Sequence, residues 1–206
     1  KVNFKKNPFY AETDSGIEFT SKTVIIATGA QARWLNLESE NKFKGFGISA
    51  CATCDGFFFK DQNIIVIGGG NSAVEEALYL SKIASKVTLI HRRDKLRAEQ
   101  ILQDRLFADE KINVIWNATI EEILGDETVN AVKIKSTDDG SIMEYPTNGV
   151  FVAIGHDPAT SIFKGHVNMD SDGYIITKPD FPTLFNYSSI HFIILCADKF
   201  FIKDPN

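Results

Sequence analysis

The sequence predicts an α/β fold built on a parallel sheet, and three observations carry that prediction. A β-branched run at residues 64–67 leads directly into three glycines. A helical pattern follows at residues 72–81, where small and apolar residues recur three or four positions apart. A second apolar run, Lys86–Ile90, comes after that helix. Strand, tight turn, helix and strand in this order predict a βαβ unit with parallel strands.

The turn between the first strand and the helix has the spacing Gly68-x-Gly70-x-x-Ala73, which matches a dinucleotide-binding fingerprint. Gly68 permits the sharp turn, Gly70 lets a pyrophosphate approach the backbone, and Ala73 lets the helix pack close to the strand. The first helical turn, which includes Asn71 and Ser72, presents free N–H groups to the anion. These five residues are therefore predicted to hold a pyrophosphate.

The end of the second strand predicts which dinucleotide binds. NAD enzymes usually have an acidic residue there, whereas this sequence has His91, Arg92 and Arg93, with Arg97 one helical turn further on. A 2′-phosphate carries negative charge and several acceptor oxygens, which suit the planar arginine guanidinium. We therefore predict NADP(H) rather than NAD(H). The alternative is that residues 91–97 form a solvated charged face.

Composition excludes several classes of protein. The 206 residues are 44% hydrophobic and 24% charged, as in ordinary globular proteins. The net charge of -5 argues against non-specific nucleic-acid binding, and no apolar run is long enough to span a membrane. No secretory signal pattern occurs, and three cysteines do not form a secreted disulfide framework. We therefore expect a cytoplasmic location.

A C-x-x-C pair precedes the glycine turn. Cys51 and Cys54 lie close enough in sequence to form a disulfide within one helical turn, and the adjacent Asp55 is predicted to move protons during thiol exchange. Two alternatives remain for this pair. It is either half of a zinc site that lacks its second pair of ligands, or a pair of buried structural cysteines. The phenylalanines at 57–59 are predicted to pack in the core, as is the third cysteine, Cys196.

The remaining elements follow from local pattern. Residues 31–47 are polar and are interpreted as a linker and the entry to the next domain. The other predicted elements are short strands over 1–19, a buried strand at 23–30, a helix ending near Phe107, and strands at 112–116, 121–124, 131–134, 149–158 and 191–196.

Three motifs together resemble the thioredoxin reductase family of bacterial, low-molecular-weight type. They are Cys-Ala-Thr-Cys-Asp-Gly at 51–56, Val-Ile-Gly-Gly-Gly-Asn-Ser-Ala at 66–73, and His-Arg-Arg at 91–93 with Arg97. The resemblance implies a Rossmann-like NADPH-binding domain at 34–158, with a parallel sheet and a β-meander. This domain is inserted between partial segments of an FAD-binding domain at 1–33 and 159–206.

The resemblance also implies a reaction. NADPH gives a hydride to FAD, the reduced flavin reduces the disulfide, and the resulting dithiol reduces thioredoxin. Cys54 is then the thiol that faces the flavin, Cys51 attacks the partner, and Asp55 is the acid and base. Ile154 and Gly155 end the strand that returns the chain near the nicotinamide. A homodimer is implied, with hinges between the domains near 33–36 and 156–158.

Two pieces of the family pattern are missing from the sequence. In the resembled family, a strand–glycine–helix unit that binds the FAD pyrophosphate comes before the part that corresponds to Lys1. A strand with a Gly-Asp pair lies near the C-terminus of the family, whereas the sequence beyond Thr183 has no Gly-Asp pair. Two other functions therefore stay open. One is a flavin-free NADPH-binding module or partial gene product without catalysis. The other is a related flavin-dependent disulfide reductase with another partner.

Overall fold

The chain folds as two compact units. The computed structural model describes residues 1–176 and the strand Phe192–Ile194. Ala32–Gly155 forms one unit, called the central unit here for its place in the sequence. Lys1–Gln31 and the residues from His156 onward form the other, the flanking unit.

The flanking unit begins with a small antiparallel sheet of β1 (Val2–Asn3), β2 (Phe9–Glu12) and β3 (Glu18–Ser21). The next strand is β4 (Val24–Ile26), in which Ile26 is buried but Ile25 is 58% exposed. The prediction of a buried strand is therefore wrong at Ile25, because no described residue covers that side of β4. The short strand β5 (Ala30–Ala32) then leads into the central unit.

The segment predicted to be a linker and domain entry contains the helix α1 (Glu38–Phe43) and belongs to the central unit from Ala32 onward, so the linker interpretation is wrong. Glu40 on this helix is 1% exposed, and its carboxylate accepts hydrogen bonds from the backbone N–H groups of Leu35 at 2.8 Å and Asn36 at 3.0 Å. A polar pattern thus marks a segment ordered by a buried carboxylate, because the charge satisfies backbone donors instead of facing water.

A five-stranded parallel sheet organises the central unit, in the order β6-β13-β7-β8-β9. A three-stranded antiparallel meander, β10-β11-β12, packs against it. The elements in chain order are β6 (Ile48–Ser49), α2 (Ala52–Asp55), a 3₁₀ helix (Gly56–Phe59), β7 (Asn63–Gly68), α3 (Asn71–Leu80), β8 (Lys86–Ile90), α4 (Gln100–Phe107), β9 (Ile112–Ile115), β10 (Ala118–Gly125), β11 (Val129–Ser136), β12 (Ile142–Pro146) and β13 (Gly149–Ala153). The predicted α/β fold with a parallel sheet and a meander is confirmed.

The central strand β7 shows why its sequence is apolar throughout. Ile64 and Val66 pack with the buried residues of α3 and α4 on one face of the sheet. Ile65 and Ile67 pack with the meander strands β10 and β11 on the other face. Since successive side chains of a strand point to opposite faces, a strand covered on both sides needs an unbroken apolar run.

The chain re-enters the flanking unit through β14 (His156–Pro158), which pairs with β5. The strand β15 (Phe192–Ile194) runs parallel to β4, with Phe192 opposite Val24. This confirms a strand within the predicted range 191–196, while Cys196 lies outside the described residues. Among the described helices, none has the length and apolar character needed to cross a membrane.

Candidate functional site

The first glycine of the fingerprint lies where three elements meet. Gly68 ends β7 with a φ of +154°, and a Cβ there would overlap the carbonyl oxygen of Ala153 and the Cβ of Ala73. Ala73 itself is completely buried. A side chain at position 68 would therefore force apart β7, β13 and the start of α3, as expected for the glycine that makes the turn.

Gly70 differs from Gly68, because the space beside it is open. Apart from Gly70 and its two chain neighbours, no described residue has an atom within 4 Å of the position that its Cβ would occupy. Gly70 is the N-cap of α3 and provides no side-chain hydrogen bond, so the first N–H groups of that helix, from Asn71 and Ser72 onward, face this open space. An open space at a helix N-terminus is suited to an anion.

The middle glycine is a residue that the sequence prediction missed. A Cβ on Gly69 would overlap the imidazole ring of His91, which is 5% exposed and lies directly beneath the glycine loop. Burial lowers the pKa of His91, while the backbone carbonyls of Gly68 and Lys95 partly oppose that shift. Its Nε2 is buried and has no hydrogen-bond partner among the described residues. His91 is thus a neutral ring that supports the loop.

The three arginines predicted to bind a 2′-phosphate are exposed. Arg92 and Arg93 follow His91 directly, and Arg97 lies at the end of the same loop. The backbone N–H of Arg97 donates a hydrogen bond of 2.7 Å to the carbonyl of Gly69. The backbone of the arginine segment, residues 91–97, is therefore joined to the glycine loop.

A second connection joins the glycine loop to the helix that follows the arginine segment. The Asn71 side-chain oxygen accepts a 2.8 Å hydrogen bond from the backbone N–H of Glu99, and its Nδ2 donates to Glu99 Oε1 at 3.2 Å. Glu99 is the N-cap of α4. The Asn71 amide therefore fixes the start of α4, a contact that spacing along the sequence does not reveal.

Cys51 and Cys54 form a disulfide, as their spacing predicts. Cys51 immediately precedes α2 and is half-buried, whereas Cys54 lies within α2 and is exposed. A zinc site would require these two sulfurs as free thiolates. The structure therefore favours redox chemistry at this pair.

Asp55 ends α2 directly after the disulfide. Ser49 donates a hydrogen bond of 2.6 Å from its hydroxyl to Asp55 Oδ2, and the backbone N–H of Cys51 donates to the same hydroxyl oxygen at 3.0 Å. Ser49 is 6% exposed. It lies two residues before Cys51, and the sequence predicts no role for it because a lone serine carries no pattern.

The aromatic run after the disulfide divides into two parts. Phe59 packs edge-on against Phe151, with ring centres 5.2 Å apart. Phe57 and Phe58 are 75% and 73% exposed, so the prediction that they pack in the core is wrong. Both rings lie on a short 3₁₀ helix and face outward, which leaves an apolar surface a few residues beyond the disulfide in the sequence.

The strand predicted over 149–158 is divided into β13 and β14, which belong to different sheets, and Ile154 and Gly155 lie between them. Ile154 is half-buried against the core between the sheet and the meander. Gly155 has a φ of +106°, and its carbonyl accepts a hydrogen bond of 2.9 Å from the backbone N–H of Arg33. The entry and exit of the central unit are therefore joined at this point.

The described part of the flanking unit differs from a flavin-binding domain in one respect. In residues 1–31 and 156–176 of the flanking unit, the structure shows strands and one 3₁₀ turn, but no strand–glycine–helix unit. These residues do not fit a flavin pyrophosphate, which needs such a unit.

Comparison with known proteins agrees with the class that the fold and the disulfide define. The pyridine nucleotide-disulphide oxidoreductase family matches residues 1–192. The chain therefore belongs to that family.

The relatives within the family carry one name. The chain is 56% identical over 181 residues to a thioredoxin reductase of Rickettsia conorii, and 47% identical over 169 residues to one of Streptomyces coelicolor. These alignments cover 86% and 82% of this chain but 58% and 52% of those relatives.

Solved structures give the same result. A thioredoxin reductase of Lactococcus lactis is 43% identical, with a TM-score of 0.75, over 89% of this chain and 60% of that protein. One from Giardia duodenalis is 33% identical, with a TM-score of 0.83, over 97% and 66%.

Proposed function

We propose that this chain is the NADPH-binding and disulfide-bearing part of a thioredoxin reductase. In that reaction, electrons pass from NADPH to the Cys51–Cys54 disulfide and then to thioredoxin. The observation that carries the proposal is the presence, in one compact unit, of a dinucleotide-shaped glycine loop and a formed C-x-x-C disulfide. The names of the relatives support the same reaction.

The pyrophosphate of NADPH is assigned to the N-terminal end of α3. Gly68 and Ala73 shape the turn, Gly70 leaves room for the anion, and the first N–H groups of the helix, at Asn71 and Ser72, bind its oxygens. These contacts use the backbone, so they do not distinguish NADPH from NADH.

The 2′-phosphate is assigned to Arg92, Arg93 and Arg97. All three are exposed at the carboxyl end of β8, where their guanidinium groups are free to fork around a phosphate. His91 has an indirect role in this proposal, because its buried ring supports Gly69 instead of reaching solvent. Ile154 and Gly155 are assigned to the nicotinamide end.

The disulfide transfers electrons by thiol exchange. Reduction adds two electrons and two protons to the Cys51–Cys54 bond and gives two thiols. The Cys51 thiolate then attacks the partner disulfide, and Cys54 displaces the reduced partner as the bond between Cys51 and Cys54 forms again. Asp55 is assigned the proton transfers, since its carboxylate is held beside Cys51 through Ser49.

The exposed Phe57 and Phe58 rings support a protein as the disulfide partner. Apolar surface beside a reactive disulfide has a cost in water unless another molecule covers it part of the time. Thioredoxin is the partner that the names of the relatives indicate. A related disulfide reductase with a different protein partner is the second candidate, since these two rings favour a protein surface without identifying it.

FAD is proposed as the cofactor of the whole protein, as the family implies. The described residues do not form a cradle for its pyrophosphate, so we assign no step to it. Visible absorption after incubation with FAD and desalting tests whether this chain retains it. A homodimer and a cytoplasmic location are likewise proposed from the resemblance and from the use of cysteine.

The experiment that tests the proposal follows electrons from the reduced chain to oxidised thioredoxin. The chain carrying Cys196→Ser is reduced with dithiothreitol, desalted and mixed with thioredoxin, and thioredoxin thiols are counted. We expect transfer by the parent, no transfer by Cys51→Ser, and a trapped mixed disulfide with Cys54→Ser, because the resolving thiol is gone. NADPH binding, measured by calorimetry, should be the same in all three.

Two outcomes would contradict the proposal. Unchanged transfer by Cys51→Ser would remove that cysteine from the reaction. Equal transfer to glutathione disulfide and to thioredoxin would show that thioredoxin is not selected as the partner. A Phe57→Ser, Phe58→Ser variant sharpens this comparison, since it should slow transfer to thioredoxin and leave transfer to glutathione unchanged.

A further inference from the structure

Ser49 connects the acidic residue and the first cysteine of the redox motif. It ends β6 and lies opposite Phe151 of β13 in the parallel sheet, so its backbone belongs to a buried, rigid element. Asp55 lies six residues further on, at the end of the short helix α2. The serine side chain therefore anchors a terminal carboxylate to the sheet.

The hydroxyl group of Ser49 uses both of its hydrogen-bonding functions here. It has one proton, and the shorter of two possible bonds is to Asp55 Oδ2 at 2.6 Å, compared with 3.4 Å to the carbonyl of Cys51. Its oxygen accepts from the backbone N–H of Cys51 at 3.0 Å. The carboxylate and Cys51 are thus held in a fixed relation through one buried atom.

We propose that Ser49 is a positioning residue, which stabilises the Asp55 carboxylate and holds it where it exchanges protons with the Cys51–Cys54 pair. This inference rests on the proton-transfer role proposed for Asp55. When the dithiol reduces a partner disulfide, its two S–H bonds and the partner's S–S bond break, two electrons and two protons pass to the partner, and the Cys51–Cys54 bond forms. A proton from the attacking thiol moves through Asp55, whose charge the serine O–H stabilises.

Other charged groups surround this turn, and they are common to every variant considered below. The helix packed against α2 is α3, which carries Glu75, Glu76 and Tyr79. Lys60 and Asp61 follow the 3₁₀ helix. The neighbouring strand β13 carries no titratable side chain. A difference between serine variants therefore reports the hydroxyl group and not the background charge.

The chain contains a matched control for this contact. Ser81 is 3% exposed and also donates its hydroxyl proton to a carboxylate, Asp109 Oδ2, at 2.6 Å. That pair joins the end of α3 to the loop after α4 and contains no cysteine. Ser81→Ala therefore removes the same kind of hydrogen bond at a position without redox chemistry.

The experiment measures thiol reactivity against pH. The reduced chain with Cys196→Ser reacts with 5,5′-dithiobis(2-nitrobenzoate) between pH 4 and 9, and release of thionitrobenzoate gives the rate. We expect Ser49→Ala to move the acidic limb of the profile to higher pH by about one unit, which is about a tenfold loss of rate on that limb. Ser81→Ala should leave the profile unchanged. It should lower the free energy of unfolding in urea by about as much as Ser49→Ala does.

Three results would overturn the inference. They are an unshifted profile for Ser49→Ala, an equal shift for Ser81→Ala, and a serine effect that persists when Asp55→Asn is already present. If Ser49→Ala does not fold, Ser49→Thr and Ser49→Val repeat the test, since they match in size and differ in the hydroxyl group. The Thr variant should follow the parent and the Val variant should shift.

This assay uses no nucleotide, flavin or thioredoxin, so its outcome is separate from that of the proposed function. A shifted profile without electron transfer to thioredoxin would contradict the proposed function alone. Transfer to thioredoxin with an unshifted profile would contradict the role of Ser49 alone.

Discussion

The glycine loop and the arginine segment are both proposed to bind phosphates of one nucleotide, yet they are built in opposite ways. At Gly68 and Gly69 the loop has no room for a side chain, because a Cβ would overlap atoms already packed there. In the arginine segment, Arg92, Arg93 and Arg97 are exposed side chains with space around them. A change in the loop should therefore affect folding first, and a change in the arginines should affect affinity first.

Gly68→Ala is the strongest test of this difference. Its Cβ would overlap the Ala153 carbonyl and Ala73, at a φ of +154° that side chains rarely adopt, so we expect a loss of about 3 kcal/mol of unfolding free energy. Urea unfolding of the variant and the parent measures this. The matched control is Gly70→Ala, which meets open space and should cost no more than about 1 kcal/mol, because alanine is a poorer N-cap than glycine.

The control variant, Gly70→Ala, also tests nucleotide binding. Gly70→Ala should weaken binding of NADPH and NADH alike, because its methyl group would occupy the space assigned to the pyrophosphate. If Gly70→Ala were as unstable as Gly68→Ala, the distinction between a packed and an open glycine would be wrong.

The second test removes Arg92 and Arg93 together. Loss of two charge-assisted contacts should weaken NADPH binding by about 2–3 kcal/mol, roughly 30- to 150-fold, and leave both stability and NADH binding almost unchanged. Calorimetric titration with each nucleotide measures the two affinities. Arg105→Ala on α4 is the control, since it removes an exposed arginine outside the segment.

Salt provides an independent check on the same arginines. Raising the ionic strength should reduce the preference of the parent for NADPH over NADH, because exposed charges are screened. Equal weakening of both nucleotides by the double variant would show that these arginines do not read the 2′-phosphate.

The smallest of the three effects concerns His91, which lies between the two regions. Burial lowers its pKa, so the unfolded chain binds a proton that the folded chain does not over the interval below the ordinary value of 6.5. Stability is therefore fully present above about pH 6.5 and falls as the pH drops below it. His91→Gln should flatten this part of the curve, as measured by urea midpoints at pH 7.5 and pH 5.

A matching pH dependence in the parent and in His91→Gln would contradict this account. It would mean that the imidazole is not the group that takes up the proton on unfolding. Gly69→Ala is a useful companion variant, because it should displace the same ring without removing its titration.

Local pattern was enough to predict the parallel sheet and the glycine turn, because both depend on neighbours within a few residues. The β-branched run of β7 and the spacing of Gly68, Gly70 and Ala73 are properties of one short segment. The helix α1 was missed because it depends on Glu40, whose buried carboxylate is indistinguishable in sequence from an exposed one.

Contacts between distant segments explain the remaining differences. The need for glycine at position 69 comes from His91, which is far from it in sequence. The exposure of Phe57 and Phe58 depends on which face of the 3₁₀ helix the fold turns outward. The disulfide was predicted because its two cysteines are close in sequence. The hydrogen bond from Ser49 to Asp55 is visible only in the folded structure.

The bonds from Arg97 to Gly69 and from Glu99 to Asn71 have a geometric consequence. They set the separation between the place assigned to the pyrophosphate and the place assigned to the 2′-phosphate. An isomer of NADPH with that phosphate on the 3′-hydroxyl has the same charge but offers it at a different distance. We therefore expect the central unit to distinguish nucleotides by the spacing of their phosphates as well as by their total charge.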